Sequence, residues 1–429
     1  MQFNTGDTAW VLVSSALVLF MTPGLAFFYG GMVRSKNVLG MLMQNYVTMA
    51  VVSIVWVFVT YSLAFGPDWG GFGIIGTLHF FGLAHINQQV PGFVGTKAQT
   101  IPPVVFVIFQ MMFAIITPAI ITGSTADRLK LSAFIVFICA WSVLVYAPIA
   151  HWVFSPNGWL AKMGVEDFAG GSVVEMNCGI AGVAVAMVVG RRRGWPKDSM
   201  TPHNVPLALI GAGILWFGWF GFNAGSALGA NLLSANAFIN TNTAGAAALL
   251  AWIVAEKIRT GKSTTLGAVS GAVAGLVAIT PACGFVNVWG ALFIGIAAGA
   301  VCESAVHIKF RFKIDDSLDV GGVHLVGGII GTLLIGFFGS RAINGVNGLL
   351  LGGNVTLLIH QALAVAVTVV YGFVVTWLIA TVIHKTMGMR MTESEETLGM
   401  DLALHAERGY EFGTALGVRI GSVFTGSNE

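Results

Sequence analysis

Long apolar runs alternate with short polar connections along most of this chain. Intervals free of charged side chains cover 8–33, 37–66, 101–126, 131–150, 199–255, 263–302, 320–340 and 354–384, and 170–190 is interrupted only by Glu175. About 20 apolar residues suffice to cross a hydrocarbon core as a helix. The interval 199–255 is too long for one helix and divides at the small-residue turn Ala224-Gly-Ser-Ala-Leu-Gly-Ala-Asn231. The interval 263–302 divides at Thr280-Pro-Ala-Cys-Gly284. The pattern therefore predicts eleven spans. Residues 68–97 are apolar too, but their Gly-rich start, two histidines and Asn-Gln-Gln-Val-Pro string predict a structured loop.

The basic residues test this count. With the N-terminus outside, Arg34, Lys36, Arg128, Lys130, Arg191 to Arg193, Lys197, Lys257, Arg259, Lys262, Lys309, Arg311 and Lys313 all fall on the cytoplasmic side, leaving Lys97, Lys162 and Arg341 outside. Cytoplasmic connections are enriched in Lys and Arg. A helix at 68–97 would invert every later loop. The start, Met1 to Asp7, lacks a basic flank, and the apolar stretch that follows is too long for a signal-peptide core, so it reads as a retained span. Beyond Lys385 the acidic residues Glu393, Glu395, Glu396, Asp401 and Glu407 mark a segment that cannot stay in lipid. The expected organisation is a transmembrane domain over 1–386 and a cytoplasmic tail over 387–429, the tail being too short for an enzymatic domain.

Composition narrows the class further. The chain of 429 residues is 56% hydrophobic and 9% charged with net charge +2, which excludes a soluble or secreted enzyme, a disordered regulator and a nucleic-acid-binding surface. Cys139, Cys178, Cys283 and Cys302 lack a paired ligand spacing and read as small core residues, so neither a metal site nor a cofactor is expected. Among 56 glycines, Gly267, Gly271 and Gly275 recur every four residues in one span, as close helix contacts in lipid require.

Ionisable side chains inside spans are costly and mark functional paths. Glu175 lies in G-G-S-V-V-E-M-N-C-G-I-A-G (170–182) and His324 in G-G-V-H-L-V-G-G-I-I-G (321–331). Each is followed at four and seven residues by glycine, so each polar group shares a helix face with sites of close backbone approach. Glu175 belongs to the fifth span and His324 to the tenth. This points to a five-plus-five inverted repeat with the path at the repeat interface and an eleventh helix outside the symmetry. Asp167 and Asp319 precede these helices at unequal distances. Each reads first as an N-cap, with direct substrate contact as the alternative. The Glu175–His324 pair is a candidate proton relay, since coupled titratable groups can share and pass a proton; the alternative is a buried pair that only fixes packing. His79, His85, His151, His203 and His360 read as capping or packing residues.

Several ordered strings now combine: P-G-L-A-F-F-Y-G-G (23–31), D-F-A-G-G (167–171), G-W-F-G-F-N-A-G-S (218–226), T-P-A-C-G (280–284) and D-V-G-G-V-H (319–324). Together they resemble the ammonium transporter (Amt/MEP/Rh) superfamily, in particular its bacterial and archaeal Amt branch, from the first span to the tail. The resemblance implies a plasma-membrane homotrimer with one path per subunit and ammonium or ammonia as substrate. It implies that Phe113 and Phe222 close the outer mouth, that Phe109 and Ser226 belong to the outer recruitment site, and that Asp167 orders this vestibule. His324 matches the second of the family's twin histidines. Two positions depart from the bacterial pattern. Glu175 replaces the first histidine, and Phe154 in A-H-W-V-F-S-P-N-G-W (150–159) stands where a cation-facing tryptophan is expected, unless Trp152 or Trp159 substitutes. The tail string M-R-M-T-E-S-E-E-T-L-G-M-D (389–401) resembles the family's regulatory C-terminus, which contacts neighbouring subunits and can accommodate a PII-type protein; the alternative is a solvated, charge-rich end.

Carrying ammonium whole through an apolar bore would cost too much desolvation. The expected mechanism therefore splits it: ammonia crosses the apolar part and the proton moves through Glu175 and His324. Two other functions remain open, an ammonium sensor that binds without conducting and a gas or neutral-solute channel resembling the Rh branch. No nucleophile with a positioned base or phosphate-cradling loop suggests an enzyme.

Overall fold

The computed structural model of the chain describes residues 3–95 and 98–410, so Lys97 and the tail beyond 410 lie outside the described residues. These described residues form an all-helical bundle, with isolated β-bridges such as Leu129 to Arg390 and no strands. The main helices are α1 (Thr5–Met32), α2 (Ser35–Phe65), α3 (Pro103–Thr125), α4 (Leu131–Met163), α5 (Gly171–Val189), α6 (Val205–Gly225), α7 (Leu232–Thr260), α8 (Thr265–Ile279), α9 (Val288–Phe312), α10 (Gly321–Phe338) and α11 (Val355–Met387). Ten are long and apolar enough to cross a membrane; α8, at 15 residues, is shorter. Two short helices follow, α12 (Glu393–Leu398) and α13 (Met400–His405).

Polar residues at the ends of the apolar runs set the boundaries. Asn4, Asn204, Asn231, Thr264, Asn287 and Asn354 each accept a hydrogen bond from a backbone N–H in the first turn of the helix that follows, satisfying donors that a helix start leaves free. The chain breaks between α6 and α7 and between α8 and α9 where the small-residue and Pro-Gly strings fall. Residues 68–95 form a structured loop of turns around one short 3-10 helix, Leu78–Leu83, as expected. The fourth span extends beyond the predicted 150 because His151 is buried. Its Nδ1 pairs with the Ala64 carbonyl at 2.8 Å and its Nε2 with Asp68 at 3.1 Å, so the helix continues to Phe154.

Helix α1 packs along α6, and α5 lies against α10 through their first turns. A Cβ on Gly271 or Gly275 of α8 would strike Trp252, Ala244 or Ala248 of α7, so the four-residue glycine repeat does bring two helices into backbone contact. The described part of the tail is not a free, solvated end. Lys130 N–H donates to the Met389 carbonyl at 2.9 Å, Met391 N–H to Arg128 at 2.9 Å, and Gly40 N–H to Asp401 Oδ1 at 2.9 Å.

Candidate functional site

Helices α5 and α10 both begin with a π-helical turn, Gly171–Met176 and Gly321–Leu325. Such wide turns are frequent at functional sites, although Trp56–Thr60 and Ser142–Tyr146 form two more elsewhere in the bundle. Those of α5 and α10 are each launched by an aspartate. Asp167 accepts from the backbone N–H groups of Gly170, Gly171 and Ser172 at 2.7–2.8 Å, which agrees with an N-cap. Asp319 departs from that expectation. Asp316 accepts from Val320 N–H at 3.1 Å and Gly321 N–H at 2.7 Å, while Asp319 pairs with Lys309. The unequal spacing noted in the sequence disappears with this correction, since Asp167 and Asp316 each stand eight residues before their ionisable partner.

The two turns bring Glu175 and His324 together. Glu175 Oε2 lies 2.8 Å from His324 Nδ1, and both side chains are buried. Glu175 Oε1 has no hydrogen-bond partner. The glycines that follow make this approach reciprocal. A Cβ at Gly179 would strike the backbone of Leu325, and one at Gly328 would sit 3.1 Å from Cβ of Glu175. Cys178, read in sequence as a small core residue, completes a group whose ligand-type atoms, with those of Glu175 and His324, lie within 4.8 Å of one another. Its thiol donates to the carbonyl of Glu175 at 3.3 Å, so it is engaged with its own helix. The sequence signal for Cys178 was its i+3 spacing from Glu175.

Toward one end of the bundle, two phenylalanines stand over the pair. The rings of Phe113 and Phe222 are 4.4 Å apart, centroid to centroid, and Phe109 meets Phe113 at 4.9 Å. Phe154 reaches the same cluster, edge-on to Phe113 at 6.4 Å. Trp152 and Trp159 do not. They pack on each other at 6.1 Å, and the Trp152 N–H donates to the Ile74 carbonyl at 2.7 Å. Ser226, partly exposed, donates to the Phe222 carbonyl at 2.8 Å, leaving oxygen lone pairs to accept. Phe109 is adjacent, since a Cβ at Gly225 would lie 3.0 Å from its ring. Asp167 is spent on backbone donors of the turn it holds, where a Cβ on Gly170 would lie 3.5 Å from the Phe154 ring.

Beneath the phenylalanines an apolar cavity, bounded by Met21, Leu25, Ile116, Ile120 and Trp219, leads to Glu175 and His324. A second cavity shares Phe28, Val273 and His324 with the first and continues past Tyr29 and Ser270 to Asp319. The cavities are small, about 10 and 70 Å³, and adjoin at His324, which sets titratable groups between apolar walls and a more polar chamber.

The profile of the Ammonium Transporter Family matches residues 9–410. The ammonium transporter of Mycobacterium tuberculosis strain H37Rv is 50% identical over 438 aligned positions, covering 96% of this chain and 91% of that protein. The crystal structure of Mep2 from Saccharomyces cerevisiae superposes with a TM-score of 0.83 at 35% identity, covering 91% of each chain. A solved structure described as a Sensor Amt Protein superposes with a TM-score of 0.85 at 30% identity, covering 93% of this chain and 98% of that one.

Proposed function

This chain belongs to the ammonium transporter family and is a multi-pass membrane protein, and from that premise we propose that it conducts ammonium by splitting it into ammonia and a proton. Ammonium is recruited among the faces of Phe109 and Phe154 and the hydroxyl of Ser226, since aromatic faces and an oxygen acceptor suit a small cation. Phe113 and Phe222 form the gate it passes. Ammonia then crosses the apolar cavity, and the proton is handed to Glu175 and His324. The observation that carries this reading is the 2.8 Å contact of a buried carboxylate with a buried imidazole where an apolar cavity adjoins a more polar one. His324 lines both cavities and Glu175 the first, a placement that packing alone does not require.

The finer organisation belongs to the same proposal. Eleven spans, counting α8, place the N-terminus outside and the C-terminus inside, as five plus five inverted helices and an added α11. The subunit assembles as a homotrimer, and the docked segment after Met387 is a cytoplasmic regulatory tail available to a PII-type protein. A sensor is the second reading, favoured by the likeness to the Sensor Amt Protein and by a phenylalanine at the recruitment position. Ammonium pulses on proteoliposomes adsorbed to a solid-supported membrane separate the two. Conduction predicts a sustained ammonium- and methylammonium-evoked current with little response to potassium, whereas a sensor would bind ammonium and give none.

A further inference from the structure

Asp319 occupies a position where the other half of the molecule has glycine. Gly170 stands five residues before Glu175 with φ +123°, and Asp319 five before His324 with φ +62°. A side chain in the left-handed region costs about 1–2 kcal/mol, less for Asp than for most residues, so a carboxyl here needs a role that glycine could not fill. Capping is not that role, because Asp316 performs it. The Asp319 side chain instead lines the inner cavity whose other end is His324, and it is 33% exposed. Lys309 holds it in an ion pair at 2.5 Å.

We propose, resting on the conduction reading above, that Asp319 is the inner proton acceptor of the path. The proton released by the Glu175–His324 pair crosses the second cavity to the Asp319 carboxylate, giving the carboxylic acid. The acid then donates that proton to ammonia arriving through the same cavity, which re-forms ammonium and restores the carboxylate. Atoms and charge balance with no further reactant. The ionisable groups facing Asp319 are Lys309 from the end of α9, Asp316 from its own loop and Arg192 from the loop after α5, with Tyr29 and His324 on the cavity wall. Burial lifts the Asp319 carboxyl, against Lys309 and with Asp316, to about 6. A carboxyl there exchanges protons readily near neutral pH.

The test uses the full chain in vesicles of one verified orientation, with ammonium current recorded while the pH on the Asp319 side is varied. Asp319→Asn removes the carboxyl at nearly constant shape, and Asp319→Gly removes it while relaxing the left-handed backbone, so the two variants have no steric defect in common. Both are expected to lower the current roughly tenfold or more and to abolish its dependence on inner pH. Lys309→Met is expected to move the midpoint of that dependence to higher pH, because the carboxylate loses the cation that stabilises it; a purely structural role would change amplitude without moving the midpoint. Wild-type inner-pH dependence persisting in Asp319→Gly would overturn the assignment. Absence of current in the wild type would instead strike the conduction reading.

Discussion

Phe154 is the residue that meets the phenylalanine cluster, its ring edge-on to Phe113, while both neighbouring tryptophans are committed elsewhere. A cation–π contact contributes about 0.5–1 kcal/mol at an exposed site, and tryptophan offers a stronger face for it than phenylalanine. Phe154→Trp is therefore expected to lower the half-saturating ammonium concentration roughly two- to fivefold, read from current against concentration; an unchanged value would remove Phe154 from the recruitment site. At this scale the sequence was legible where a residue broke the local chemistry. Glu175 and His324 stood out because charge is expensive in lipid, and the structure joins them. The launching aspartate of α10 was misassigned because Asp315, Asp316 and Asp319 crowd one loop and sequence alone does not show which carboxyl turns toward the helix start. Only the equal spacing of eight from Asp167 and Asp316 carried that signal. Cys178 carried only its i+3 spacing from Glu175 as a signal, which reads weakly because a buried cysteine is usually just a small apolar side chain.

The close contact of α5 and α10 rests on glycines whose replacement would force the helices apart. Gly179→Val is expected to destabilise the fold by about 1–3 kcal/mol and to lose ammonium current with it, measured by thermal unfolding in detergent alongside transport; full current at wild-type stability would contradict the reciprocal packing. A second connection lies in the loops beside these helices. Arg192 grips Asp315 through two nitrogens, at 2.8 and 3.0 Å, and buried Arg128 donates to the carbonyls of Asp315, Ser124 and Gly190. Burial alone would raise the Asp315 carboxyl, but the Arg192 hydrogen bond and the charges of Arg128 and Arg192 outweigh it and hold it below the ordinary range. A depressed acid contributes stability that is present above its unfolded value, about 3.9, and lost as pH falls through the lower folded value. Asp315→Asn should thus be less stable at neutral pH and lose less stability on acidification, in melts followed across acid pH. Equal pH slopes would refute this. Element boundaries were largely readable, since uncharged runs and Asn caps set them. The extension of α4 was not, because a histidine paired with a carbonyl and a carboxylate from another segment is invisible to local pattern.

Across the whole molecule, the two halves meet so that one line runs from the phenylalanine cluster through the buried pair to Asp319. The contact between the starts of α5 and α10 was legible in the matched glycines after Glu175 and His324, whereas the lining of the cavities was not, since it depends on which faces of α1, α3, α6 and α8 turn inward. A carboxylate at the first position of the pair can carry charge where an imidazole is neutral, so it can hold a cation or a water column more strongly. Glu175→His is accordingly expected to shift the pH profile of transport and to tighten discrimination against potassium; superimposable profiles and selectivity would reject that role for the carboxylate. The most direct measurement is the ammonium-evoked current of Glu175→Leu and His324→Leu in proteoliposomes. If the pair relays the proton, each replacement removes the selective current while the protein remains folded. Intact, strictly ammonium-selective current in either variant would contradict the account.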